Sequence, residues 1–332
     1  MSRPKTIALI AAAAVLLAAG AVLSQGLRFR HYIEYCRNVG VSLKEARKIY
    51  GPMTADNEWL MALVTEADRG NWDKVEELTE KDRHSQLGTY YRNICKARKG
   101  RLGEDLMSYY QPFDRGLFLP VMEGQTPFSI GCAGEVWWQL GELTLCEHAT
   151  LLGLIFSPHQ KGERFMRRLA AIQLANGEDA AAQKYLRQCR GPASKDWESR
   201  IPLRPRTDTI LLTGQNRKAL LNLLEANPGN TAAYEYLLCY DLLLKDLSTF
   251  IKDYDPSRIR STLYDQGVLA WLASTNTLTP ETAAAYRIPD RTLQDFFGYT
   301  EIYTSSKSPL SALRPRFGQT YWFYFHFARK NE

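Results

Sequence analysis

Between its apolar helical stretches this chain repeats a turn of glycine followed closely by an acid: Gly70-Asn-Trp-Asp73, Gly100-Arg-Leu-Gly-Glu104, Gly141-Glu142 and Gly177-Glu-Asp179, with weaker copies at Gly214-Gln-Asn216 and Lys245-Asp246. The spacings are 30, 41, 36, 37 and 31 residues. They lie close to the ~34-residue tetratricopeptide period of stacked helix-turn-helix units. One such unit cannot bury its apolar face alone, so neighbours must stack into a continuous core, giving a curved solenoid with a concave surface. The pattern predicts an all-α, tetratricopeptide-like helical-repeat solenoid and specifies no chemistry.

A second feature stands at the amino terminus. Thr6 to Ser24 is a run of nineteen residues without a charge, preceded by Arg3 and Lys5. That length suffices to cross a bilayer as a helix. Ala19-Gly20-Ala21 also resembles a signal-peptide cleavage site, but the basic flank Arg28-Phe-Arg30-His31 favours a retained single-span anchor over residues 1–27. For orientation, Arg3 and Lys5 compete with Arg28, Arg30 and Arg37, and the balance leans towards a cytoplasmic body. The six cysteines, Cys36, Cys95, Cys132, Cys146, Cys189 and Cys239, are widely separated, contain no C-x-x-C and read as small buried hydrophobes, so they do not choose a side.

The body has enough apolar residues, 45% of 332, for a large core, which excludes a disordered chain. Its net charge of +6 is spread among acids with no basic stripe, which argues against a nucleic-acid partner. Leu60, Leu63, Val64 and Ala67 mark one helix face ending near Gly70, and a returning helix starts at Asp73 with Val75 and Leu78. Thr89 to Lys99 and Glu104 to Tyr110 suggest a second pair. The period then breaks: Phe113 to Gln125, with Gly116-Leu-Phe-Leu-Pro120, reads as a loop lying across the array. Helical pattern resumes at Pro127 and continues through Phe165, Leu169 and Ile172 to Ala182, Tyr185, Leu186 and Cys189. The Pro-rich stretch 191–206 reads as a hinge between N-terminal repeats over 28–190 and C-terminal repeats with a capping segment over 207–332. Beyond the hinge, Asn230 caps the helix carrying Ala233, Tyr236, Leu237 and Tyr240. Asp255-Pro256 and Thr279-Pro280 read as two further helix starts. Tyr321-Trp-Phe-Tyr-Phe-His-Phe327 reads as the terminal cover of the last repeat.

Trp72-Asp-Lys-Val, Ala97-Arg-Lys-Gly100-Arg-Leu-Gly-Glu-Asp105, Gly116-Leu-Phe-Leu-Pro120, Lys184-Tyr-Leu186, Asn227-Pro-Gly-Asn-Thr-Ala-Ala-Tyr-Glu-Tyr-Leu237 and Tyr321-Trp-Phe-Tyr324 together resemble an uncharacterised bacterial membrane family, domain of unknown function 6057. The similarity runs in order over most of Leu60 to Phe327. Members of that family usually carry several membrane spans before the helical repeats, whereas this chain has one apolar run. The resemblance implies a helical-repeat fold and an envelope location. It brings no activity.

Nothing in the sequence spells out catalysis. The five histidines have no metal spacing, and the nearest cluster, Cys146-Glu-His148, places its ends about 200° apart on a helix. Phosphate loops, nucleophile elbows and dinucleotide fingerprints are absent, so no cofactor or metal is expected. Glu135 beside Trp137-Trp138 is the one place where a carboxylate adjoins stacking rings, a pairing that suits a sugar. The expected function is therefore a membrane-anchored scaffold of the cell envelope that binds a protein or peptide along its concave face. The alternative is glycan binding or processing through Trp137, Trp138 and Glu135.

Overall fold

The computed structural model describes residues 26–80, 85–121, 125–189 and 215–329. Every regular element among them is helical, so the chain is all-α. The apolar run Thr6–Ser24 and the Pro-rich stretch 191–206, with Arg200, Arg204 and Arg206, lie outside the described residues. Among those described, no helix is long and apolar enough to cross a membrane.

The glycine turns close helix hairpins in one repeated geometry. Gly70, Gly100, Gly141 and Gly177 all have φ between 64° and 81°. At each, the glycine N–H donates three residues back and the next N–H donates five residues back, as in Gly70 to Ala67 and Asn71 to Glu66. This is the Schellman ending, which satisfies the last carbonyls of a helix and turns the chain sharply. The same bond pair recurs at Gly40, and also at Lys245, Asn276 and Arg287, where non-glycine residues hold φ of 54° to 62°. A capping side chain often follows at once: Ser42, Glu142 and Asp246 each accept an N–H of the next helix.

In chain order, α1 (Arg30–Asn38), α2 (Leu43–Ile49), α3 (Ala55–Asp68), α4 (Trp72–Glu80) and α5 (Gln86–Arg98) form the first layers, with α3 packed on α1, α4 and α5. The one-turn α6 (Leu102–Asp105) follows. Then come α7 (Pro127–Cys132), α8 (Gly134–Leu140), α9 (Leu143–Phe156), α10 (Glu163–Ala175) and α11 (Asp179–Leu186), a group gathered around α9 and α10. After residue 214 come α12 (Asn216–Ala226), α13 (Thr231–Leu243), α14 (Leu247–Asp253), α15 (Thr262–Ser274), α16 (Pro280–Ala285), α17 (Asp290–Ser305), α18 (Pro309–Phe317) and α19 (Tyr321–Phe327).

Helix α5 is where these groups meet, because α8 and α13 both pack on it. The short α6 wedges between α13 and α15. Gly103 permits this: a Cβ there would stand 2.7 Å from the Tyr264 ring. The Gly103 N–H donates to Glu235 Oε1, 132 positions along the chain. One continuous apolar core therefore runs from Tyr32 to Trp322.

Two sequence-predicted elements differ. The helix expected from Glu104 to Tyr110 ends at Asp105, followed by a 3-10 turn over Leu106–Ser108, because Tyr109 and Gln111 turn back to bond α5. Asp255-Pro256 starts no helix: Asp255 caps a turn by accepting the Ser257 N–H, and the next helix begins after Ser261, whose hydroxyl accepts the Tyr264 N–H. Thr279-Pro280 and Asn230 do begin helices. The aromatic α19 packs on α15, with Trp322 donating to Gln266 O at 2.9 Å and Tyr321 donating to Leu242 O at 3.0 Å.

Candidate functional site

The break in the helical period builds the candidate site. Residues 106–121 leave the hairpin pattern and are stapled to α5 by Asn93, which is fully buried. Its amide donates to Gly116 O at 2.8 Å and to Gln111 Oε1 at 3.2 Å. Its carbonyl oxygen accepts from Tyr109 Oη at 2.6 Å and from Gln111 Nε2 at 3.3 Å. All the bonding capacity of one amide thus fixes one loop. Thr89 adds a bond to Tyr110 O, and Leu117, Phe118 and Leu119 are buried beneath.

At the crest of this loop Phe113 has φ 53°, a left-handed conformation that a bulky side chain adopts at a cost. Its ring lies 5.7 Å from that of Tyr324. Lys245 stands beside both rings, donates to Ala328 O at 2.6 Å, and has its pKa lowered by burial. The loop is thereby braced against the carboxy-terminal helix α19 as well as against α5.

Two clefts flank the crest and share Asp114 and Arg115. The larger, about 890 Å³, runs between residues 107–115 and the α18–α19 end, lined by Tyr109, Tyr110, Phe113, Phe323, Tyr324 and Phe327 with Arg115, Arg314 and Arg329. Asp114 is its one carboxylate among the described residues. The smaller, about 370 Å³, is lined by Phe118, Trp137, His148, Asn216 and Tyr240. There Trp137 stacks on Phe118 at 4.8 Å, and Tyr240 meets Phe118 edge-on at 5.7 Å. Both volumes are in the range of ligand pockets.

The three residues singled out from sequence separate. Trp137 and Trp138 are consecutive on α8 and so diverge by about 100°. Trp137 lines the smaller cleft. Glu135, only 4% exposed, accepts from Arg168 Nη2 and Gln139 Nε2, both at 2.8 Å, and Arg168 also covers the Trp138 ring at 4.6 Å. Neither Glu135 nor Trp138 lines either cleft. The carboxylate that shares a cleft with Trp137 is Asp114.

Asp114, Arg115, His148, Tyr240 and Tyr324 were not legible as site residues. The signal that could have found the first two was the interruption of the helical period beginning at Phe113. His148 lines the cleft, whereas Cys146 is buried and Glu147 accepts from Gln173. Among the described residues no three His, Cys, Asp or Glu side chains are grouped to hold a metal. All six cysteines are free, and burial pushes the thiols of Cys95, Cys132 and Cys146 up to about 12.

Fold and site define an all-α protein of helix hairpins with an aromatic, arginine-bearing double cleft at an interrupted turn. The chain belongs to the family of unknown function DUF6057, which matches residues 2–189 and 193–328. No curated protein and no solved structure matches it.

Proposed function

We propose that this is a membrane-anchored, tetratricopeptide-like binding protein of the bacterial cell envelope, and that its double cleft receives an extended, acidic segment of a protein or peptide. The observation that carries the reading is the larger cleft: among the described residues three arginines, six aromatic residues and one carboxylate line a volume of about 890 Å³. Rigid rings bind extended backbone with little loss of conformational freedom, and guanidinium groups clasp carboxylates in paired bonds. The recurrent Schellman hairpins support the solenoid reading. The apolar run Thr6–Ser24 supports the anchor. Titration of the purified full chain with extended acidic, neutral and basic peptides tests the proposal. Acidic peptides should bind, and Arg314→Glu should abolish binding while leaving the melting temperature in place. Equal affinity for all three charge classes would refute it.

A second reading has its own observation. The stacked Trp137–Phe118 pair beside Asp114 and His148 offers a sugar a ring face and polar groups in a cleft of about 370 Å³. Glycan binding that survives Trp137→Ala would count against it.

A further inference from the structure

Five large apolar side chains are exposed in two segments, Leu27, Leu43 and Ile49 in one and Ile155 and Phe156 in the other, with Leu27 at 78% and Phe156 at 52%. The segments adjoin. His159 Nε2 meets Glu45 Oε1 at 3.0 Å, and the Gly40 turn lies against the backbone of Lys161. Around them stand the exposed basic residues Arg28, Arg30, Lys44, Arg47, Lys48 and Lys161. Of the nearby acids, Glu45 is engaged by Ser42 and His159, and Glu34 by Arg69.

The tether says what meets this face. The apolar run Thr6–Ser24 is followed by Gln25, Gly26 and Leu27, uncharged up to Arg28, so even a fully extended chain holds the start of the body within roughly 10 Å of Ser24. Tyr32 near the start of α1 donates to Gly51 O just past α2, so the Lys48–Ile49 end of α2 is held at the same place. A chain whose anchor ends here cannot keep this face far from the headgroups.

We propose that the face formed by α2 and the Ile155–Phe156 end of α9 rests on an anionic lipid surface and fixes how the body stands on the membrane. The inference takes its tether from the anchor reading above. Aliphatic and aromatic side chains would enter the headgroup boundary while the lysines and arginines meet lipid phosphates. One apolar segment leaves a body free to swivel; a second contact orients it.

The test is photo-cross-linking of the full chain in vesicles of phosphatidylcholine with and without phosphatidylglycerol, with benzoylphenylalanine replacing Phe156. A control carries it at Phe297, which is equally exposed on α17 at the other end of the succession of packed helices. The expected result is a lipid adduct from position 156 alone, severalfold stronger with phosphatidylglycerol and severalfold weaker in Lys44→Glu/Lys48→Glu. No lipid adduct, an equal adduct at 297, or an adduct to a second copy of the chain overturns the proposal. An alkaline carbonate wash of the same vesicles tests the anchor separately. A chain that resists the wash without a lipid adduct at 156 sinks this inference alone, and one that is washed off yet gives the adduct sinks only the anchor.

Discussion

At the scale of single residues, buried polar groups hold the site in shape. Asn93 uses its donors and acceptor pairs on three residues of the cleft loop, so Asn93→Ala leaves Gln111, Tyr109 and Gly116 short of partners in the interior. The expected cost is about 2–4 kcal/mol, read by chemical denaturation, with looser hydrogen-exchange protection over residues 106–118. Two other buried groups give the fold a pH dependence of one sign. Glu235 has its pKa raised to about 7 from 4.5, chiefly by burial, against the opposing bond from the Gly103 N–H. Between those values the folded chain holds more protons than the unfolded one, so stability falls as pH rises through the window. His31 sits between Glu58, at 2.7 Å, and Glu66, at 3.0 Å, and the Glu58 bond is the main cause raising its pKa. A raised base stabilises fully below its unfolded value of 6.5 and loses that contribution as pH climbs through the folded one. The melting temperature should therefore drop from about pH 5 to about pH 8, and Glu235→Gln should make the drop shallower by the equivalent of roughly 1–3 kcal/mol. An unchanged slope in the variant would show that Glu235 is ionised in the fold throughout.

At the scale of elements, the sequence was most legible where a turn demands one residue type. Gly70, Gly100, Gly141 and Gly177 announced the hairpins because only glycine takes the left-handed ending without strain. Lys245, Asn276 and Arg287 make the same ending with side chains: the first was readable only as a weak copy through Asp246, the other two carry no such mark, and Gly40 closes a hairpin earlier than the repeat suggested. Asp255-Pro256 misled for a related reason: a capping acid followed by proline also suits a simple turn. The expected outcomes are opposite in sign. Gly100→Ala, at φ 64° with open space around its Cβ, should cost about 1 kcal/mol, whereas Arg287→Gly should stabilise by about 0.5–1 kcal/mol. Thermal melts of the two variants check both.

At the scale of the whole molecule, long-range packing was hidden from the sequence. Periodicity shows that a helix has an apolar face but does not say which partner covers it, so the meeting of α8 and α13 on α5 could not be read. The separation of Trp137 from Glu135 follows from their i and i+2 places on α8, about 200° apart; what stayed hidden is that Arg168 arrives from α10 to engage Glu135. The cleft was legible only as an interruption. Because α5 and α6 share a core with α13 and α15, residues on the two sides of the Pro-rich stretch should unfold together, and calorimetry should record one transition; two would show that the halves are independent units.

The double cleft is proposed as the place where this protein meets its ligand. The most direct measurement is photo-cross-linking in the cells that make it, from benzoylphenylalanine at Tyr110, which lines the larger cleft and is 44% exposed. A discrete protein or peptide adduct is predicted, lost in Arg314→Glu while the chain melts normally. An adduct indifferent to that charge reversal, or one formed equally from Phe297, would contradict it.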